Sequence, residues 1–164
     1  MCASKFSFLD KQKLDAILPD LFAILHANMT LIAPTGNSYQ ADFAVWRSYI
    51  VPDLQNECRQ IVLMYEGNTL AGFFRYCIHG DSLMMEEIQI QKAFQGTGLF
   101  SAFYKWLVQQ LPNNILYVEA YANKQNYKSQ AVLEHLGLVR SGENKNGLSF
   151  RYKGDYADLL RKYS

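Results

Sequence analysis

The residues best suited to chemistry lie in "MMEEIQIQKAFQGTGLF", residues 84–100. Two adjacent carboxylates, Glu86 and Glu87, open it, and two glycines, Gly96 and Gly98, stand one residue apart where an apolar helix pattern begins. Burial penalises the charged form of a carboxylate and so makes it a stronger general base. On a regular strand Glu86 shares a face with Ile88 and Ile90, whereas Glu87 points with Gln89 and Gln91. Glu86 is therefore the preferred base and Glu87 the alternative; a bulge would exchange them. The glycines call for their own reason, because each costs about 1 kcal/mol against alanine inside a helix. A backbone without Cβ admits close approach by another group. That group is either a phosphate, drawn by the N–H groups and positive dipole end of a helix start, or the sheet beneath the helix. In the first case Gln95 and Thr97 are available as side-chain donors.

The elements that must hold these residues follow from periodicity. Leu14, Ile17, Leu18, Leu21, Phe22 and Leu25 recur at helical spacing, so residues 10–28 read as a helix with Asp10 as N-cap and Pro19 kinking or splitting it. After the loop "APTGNSY", residues 40–58 give a weaker helical pattern interrupted by Pro52. "QIVLMYEGNTLAGFFRYCI" contains two strand-like runs around Glu66-Gly67-Asn68, a hairpin signal. "SLMMEEIQIQ" is a third strand, and "NNILYVEAYA" a fourth, after the glycine-led helix. Residues 83–122 thus form a βαβ crossover. "NYKSQAVLEHLG" is a short helix stopped by Gly137, and two short strands around residues 143–146 close the pattern.

Composition sets wide limits. The chain has 164 residues, 49% of them apolar, with a net charge of +1. That fits one domain, residues 1–164, with material for a sizeable core and no global field favouring nucleic acid or an anionic membrane. No apolar run reaches the roughly 18 residues of a membrane span, and the N-terminus lacks a signal-peptide core. The three cysteines and three histidines are scattered, so no metal-ligand cluster is visible, although Cys77 and His79 lie close in sequence. A reducing, cytoplasmic setting is the plain expectation for such thiols.

Known phosphate motifs narrow the reading of the glycines. The P-loop pattern is absent. The dinucleotide fingerprint G-x-G-x-x-G is half met, with Ser101 in the third glycine position and Glu119 imitating the ribose-binding acid. In that fold, however, the glycine turn follows its strand at once, whereas "KAFQ" intervenes here between Gln91 and Gly96.

"IQIQKAFQGTGLF" resembles the acetyl-CoA signature Q/R-x-x-G-x-G/A of the GNAT N-acetyltransferases, set a few residues after a strand. Gln95, Gly96, Thr97 and Gly98 fit it; Phe100 departs, standing where that family prefers Gly or Ala. "NYKSQAVLEHLGL" is similar to the family's N-x-x-A-x-x-x-Y-x-x-x-G-F segment through Asn126, Ser129, Gly137 and Leu138, with Leu133 in the tyrosine position. The resemblance covers about residues 60–152 and leaves the N-terminal helices, residues 10–58, as the variable substrate-facing part. It implies an α/β fold: one mixed, largely antiparallel sheet of about six to seven strands, with helices on both faces and a βαβ crossover carrying the cofactor turn.

It also implies a cofactor and a reaction. The pyrophosphate of coenzyme A would lie on the amides from Gln95 through Leu99 to Phe100, and the pantetheine arm would pair with backbone along Ile88, Ile90 and Gln91. Asn126 would hydrogen-bond the arm from its other side, beside Ser129. A primary amine would attack the thioester, with a backbone N–H near Ile88 stabilising the oxyanion and a base and an acid moving protons. Leu133 cannot supply the acid; Tyr121 and Tyr127 are near in sequence, and a thiolate of pKa near roughly 8.5 can leave unaided. The implied function is acetyl transfer from acetyl-CoA to an amine-bearing acceptor, by a monomer or homodimer and without a metal. The alternative is a non-catalytic acyl-CoA-binding regulatory module.

Overall fold

Seven strands make one mixed sheet in the order β1-β2-β3-β4-β5-β7-β6. The structure is a computed structural model, describing residues 3–164. The strands are β1 (Ser4–Phe8), β2 (Arg59–Glu66), β3 (Thr69–His79), β4 (Ser82–Ile90), β5 (Tyr117–Asn123), β6 (Val139–Glu143) and β7 (Ser149–Asp155). The helices are α1 (Leu14–Met29), α2 (Tyr39–Leu54), α3 (Leu99–Gln110), α4 (Tyr127–His135) and α5 (Tyr156–Tyr163). The chain divides into two compact units: residues up to Arg75 with Glu87–Leu99, and Tyr76–Glu86 with Phe100–Ser164.

In the first unit, β1 runs antiparallel to β2, from Ser4 opposite Glu66 to Phe8 opposite Val62. Leu14, Leu18 and Leu21 of α1 are buried with Ile50 and Leu54 of α2 and Ile61 of β2. The aromatic side of α2 completes this packing, with Phe43 and Trp46 centred 5.2 and 5.5 Å from Phe22 of α1. The helix start differs from the expectation: Asp10 accepts from the Gln12 amide and caps a short 3-10 turn, Lys11–Lys13, and α1 begins only at Leu14. Pro19 does not split α1, nor Pro52 α2.

In the second unit, β4 runs parallel to β5 through Ser82–Met85 opposite Tyr117–Ala120, the expected crossover. β7 is antiparallel to both β5 and β6. The register puts Met85, Ala120 and Tyr152 in one row, all buried. Phe103, Tyr104 and Leu107 of α3 are buried at helical spacing. The Tyr104 hydroxyl donates to Met85 Sδ at 3.5 Å, and its ring stacks on Tyr163 of α5 at 5.3 Å. Gly137, at φ +95°, stops α4 as expected, and the Leu138 amide closes back on the Leu133 carbonyl at 3.1 Å. Among the described residues no helix is long and apolar enough to cross a membrane.

Candidate cofactor and catalytic site

The first unit carries the glycine turn. After β4, residues 92–94 form a 3-10 turn, and Gln95 returns to extended backbone. Gly96 and Gly98 then adopt φ +73° and +89°, left-handed values that side chains with a Cβ rarely take. A Cβ at either position would meet nothing within 4 Å. Close packing on the sheet is therefore not why these glycines are here. Conformation demands them, and the space beside them is open just before Leu99 starts α3. The side chains of Gln95 and Thr97 bond back to the chain in this structure. Gln95 Nε2 donates to the Ile90 carbonyl at 2.9 Å and Thr97 Oγ1 to the Phe94 carbonyl at 2.6 Å, so both shape the turn itself.

The strand leading to the turn is fastened to β3 and α1. The Gln91 amide donates to the Ala71 carbonyl at 2.8 Å, and its side chain donates to the Leu70 carbonyl. Asn28 of α1 donates through Nδ2 to Gln89 Oε1 and to the Ile90 carbonyl, each at 3.0 Å. The Glu87 side chain is only 12% exposed, with Oε2 3.6 Å from Arg75 Nε. Arg75 also reaches Asp53 of α2, at 3.7 Å.

The second unit holds Glu86, which is half-buried. The buried side chains of β4 are Leu83 and Met85, which alternate in step with Glu87. The enclosed face is thus the one opposite to that expected from Ile88 and Ile90, which are only half-buried. Asn126 is the N-cap of α4, accepting from the Ser129 amide at 3.0 Å, so its side-chain oxygen is committed while Nδ2 takes no part in the cap. Leu133 is 7% exposed and packed in the core. Tyr121 and Tyr127 are both exposed. Glu119 pairs with Arg151 rather than standing ready for a ribose, and that pairing raises the Arg151 pKa. Cys77 Sγ lies 3.2 Å from His79 Nε2.

Several contributors were not found from sequence. Asn28 and Arg75 fasten β4 from distant positions, and no local pattern marks them. Gln130 is buried, donating to the carbonyls of Asn123 and Lys124 at 3.1 and 2.9 Å, and so fixes the turn before Asn126. Its placement between Asn126 and Leu133 on a short helix was the one available signal.

No family model matches the chain, and no curated protein matches it in sequence. Solved structures match it along nearly its whole length. A putative acetyltransferase of the GNAT family from Desulfovibrio desulfuricans superposes with a TM-score of 0.68 at 16% identity, covering 93% of this chain and 99% of that one. The PaiA N-acetyltransferase from Thermoplasma acidophilum, solved with coenzyme A, gives 0.69 at 15% identity, covering 94% and 99%. The spermidine N-acetyltransferase from Vibrio cholerae, solved with CoA and spermine, gives 0.62 at 16% identity, covering 96% and 98%. The seven-stranded mixed sheet with five helices is the GNAT fold.

Proposed function

We propose that this protein is an acetyl-CoA-dependent N-acetyltransferase acting on a primary amine. The observation that carries the reading is the turn at Gly96 and Gly98: left-handed backbone, open space on the glycines, and a helix start immediately after. Backbone amides at such a start favour a phosphate group, and the missing Cβ atoms leave it room. Here the pyrophosphate of coenzyme A meets the amides of Gln95–Phe100, and the pantetheine arm pairs with the backbone of Ile88 and the Ile90 N–H, on the edge of β4 turned away from β3, with Gln91 holding that edge from the β3 side. Asn126 contributes Nδ2. Acetyl-CoA supplies the activated thioester. Glu86 takes the proton that the ammonium must lose, directly or through a water, while Arg75 occupies Glu87 in charge pairing. The complexes of PaiA with coenzyme A and of the spermidine enzyme with CoA and spermine support the cofactor and an amine acceptor.

The test is calorimetric titration with coenzyme A, NAD and ATP, followed by thiol release from acetyl-CoA across an amine panel. Binding of coenzyme A alone and release with at least one amine are expected. Equal binding of all three would overturn the cofactor assignment.

A second reading, a non-catalytic acyl-CoA-binding module, is favoured by one observation: core-packed Leu133 stands at the family's tyrosine acid. Tight coenzyme A binding with no thiol release from any amine would select it.

A further inference from the structure

The carbonyl oxygen of Ile90 accepts two side-chain hydrogen bonds from opposite sides of the sequence. Asn28 Nδ2 approaches at 3.0 Å from the last turn of α1, and Gln95 Nε2 at 2.9 Å from the start of the glycine turn. A carbonyl oxygen offers two lone pairs, so these two donors saturate it. Asn28 Nδ2 is also 3.0 Å from Gln89 Oε1, so two acceptors specify an amide nitrogen there.

The backbone around this oxygen shows what it fastens. Gln91 bonds Ala71 of β3 through its amide, and the Gln89 carbonyl lies against Gly72 of β3. On a strand the N–H and C=O of one residue address the same edge, and successive residues alternate. Ile90 therefore addresses the edge turned away from β3. Its oxygen is the last strand acceptor before the chain turns at residues 92–94 toward Gly96. Whatever holds this oxygen holds the angle at which the strand hands over to the turn.

We propose that Asn28 is a positioning residue for the cofactor. It acts through the Ile90 carbonyl it shares with Gln95, without touching the cofactor. The inference rests on the coenzyme A reading above. It ties the affinity of a turn in the middle of the chain to one side chain of α1, the helix that resemblance assigned to the acceptor side.

Coenzyme A affinity is measured by calorimetry for the parent, Asn28→Asp, Asn28→Ala, Gln95→Ala and the double variant Asn28→Ala/Gln95→Ala, with circular dichroism for each. Asn28→Asp keeps the size of the side chain but turns an acceptor toward two acceptors. It is expected to weaken binding about tenfold at neutral pH with the fold intact. As pH falls toward the carboxyl range, near about 4, the introduced group gains a proton it can donate. The ratio of variant to parent dissociation constants should then shrink, which a purely structural defect would not produce. The double variant should bind little worse than the weaker single one, because both donors act through one oxygen. If Asn28→Asp does not fold, Asn28→Ala and the double variant carry the same test. A parent that fails to bind coenzyme A overturns the function and this inference together. A parent that binds, with Asn28 variants that match it or with effects that simply multiply, overturns this inference alone.

Discussion

Gly72 of β3 lies directly against the carbonyl of Gln89 on β4: a side-chain carbon at position 72 would overlap that oxygen and sit 3.1 Å from Ile90 Cα. Both obstacles are backbone, which cannot swing aside as a flexible side chain would. Gly72→Ala must therefore displace β4 where the strand approaches the glycine turn. Overpacking of this kind costs roughly 1–3 kcal/mol. Thermal unfolding should show a Tm lower by several degrees, and coenzyme A affinity should fall with it. A native Tm together with native affinity would mean that β4 is not held as described.

Gly98 is constrained by conformation and not by crowding. Gly98→Val places a β-branched residue at a left-handed φ and fills the space beside the helix start. Coenzyme A binding should weaken more than about tenfold while circular dichroism stays native. Gly98→Asn, which tolerates left-handed backbone, should lose less. If both variants bind like the parent, the cofactor sits elsewhere.

The two carboxylates should separate by experiment. Glu86→Gln is expected to lower kcat by about a hundredfold on a validated amine and leave coenzyme A affinity nearly unchanged. Glu87→Gln removes the charge opposite Arg75, so its effect should appear first as a lower Tm. Parent-like turnover by Glu86→Gln would end its assignment as the base.

Leu133→Tyr places a phenol where the GNAT segment that this stretch resembles carries its tyrosine. Because Leu133 is core-packed, the larger ring should lower the Tm. A faster kcat despite that loss would show that protonation of the leaving thiolate limits the parent.

Alkaline pH supplies a test of the second unit. Burial pushes the pKa of Tyr104 above the ordinary value of 10.0, with Tyr163 adding to the rise, and burial also raises Tyr76, Tyr156 and Tyr163. Between the unfolded value and the raised folded one, the unfolded chain has lost protons that the native state still holds. Stability should therefore be unaffected below about pH 10 and fall as pH rises beyond it. Denaturant titrations across that range should show the decline, and Tyr104→Phe should flatten it. An unchanged slope in the variant would exclude Tyr104 as the source.

Much of the fold was legible because strong local patterns agreed with it: the leucine spacing of α1, the turn at Gly67, the αL stop at Gly137. Two elements were missed. β1 is short and runs straight into the Asp10 cap, and α5 follows β7 without any turn residue between Asp155 and Tyr156. At 8 residues, α5 is too short to stand without tertiary packing, and its buried Tyr156, Leu159 and Tyr163 supply it. In the candidate site, the glycine turn was legible because φ itself selects glycine. That the side chains of Gln95 and Thr97 bond back to the Ile90 and Phe94 carbonyls was not, since a donor's direction depends on which carbonyl is nearest. Nor was the enclosure of Glu87, which depends on Arg75 and on α2 through Asp53.

The pairing of β1 with β2 sets an order of assembly. Ser4 and Glu66 stand 62 residues apart in the chain, and both helices of the first unit lie in the loop that their pairing closes. Closing so long a loop costs entropy before any contact is gained, whereas β6 and β7 meet across a short connection. The N-terminal strand should thus dock among the last elements, onto a β2 already stiffened by its hairpin. Until it does, the edge of β2 is open to any other extended chain, and a nascent second copy is the nearest one available.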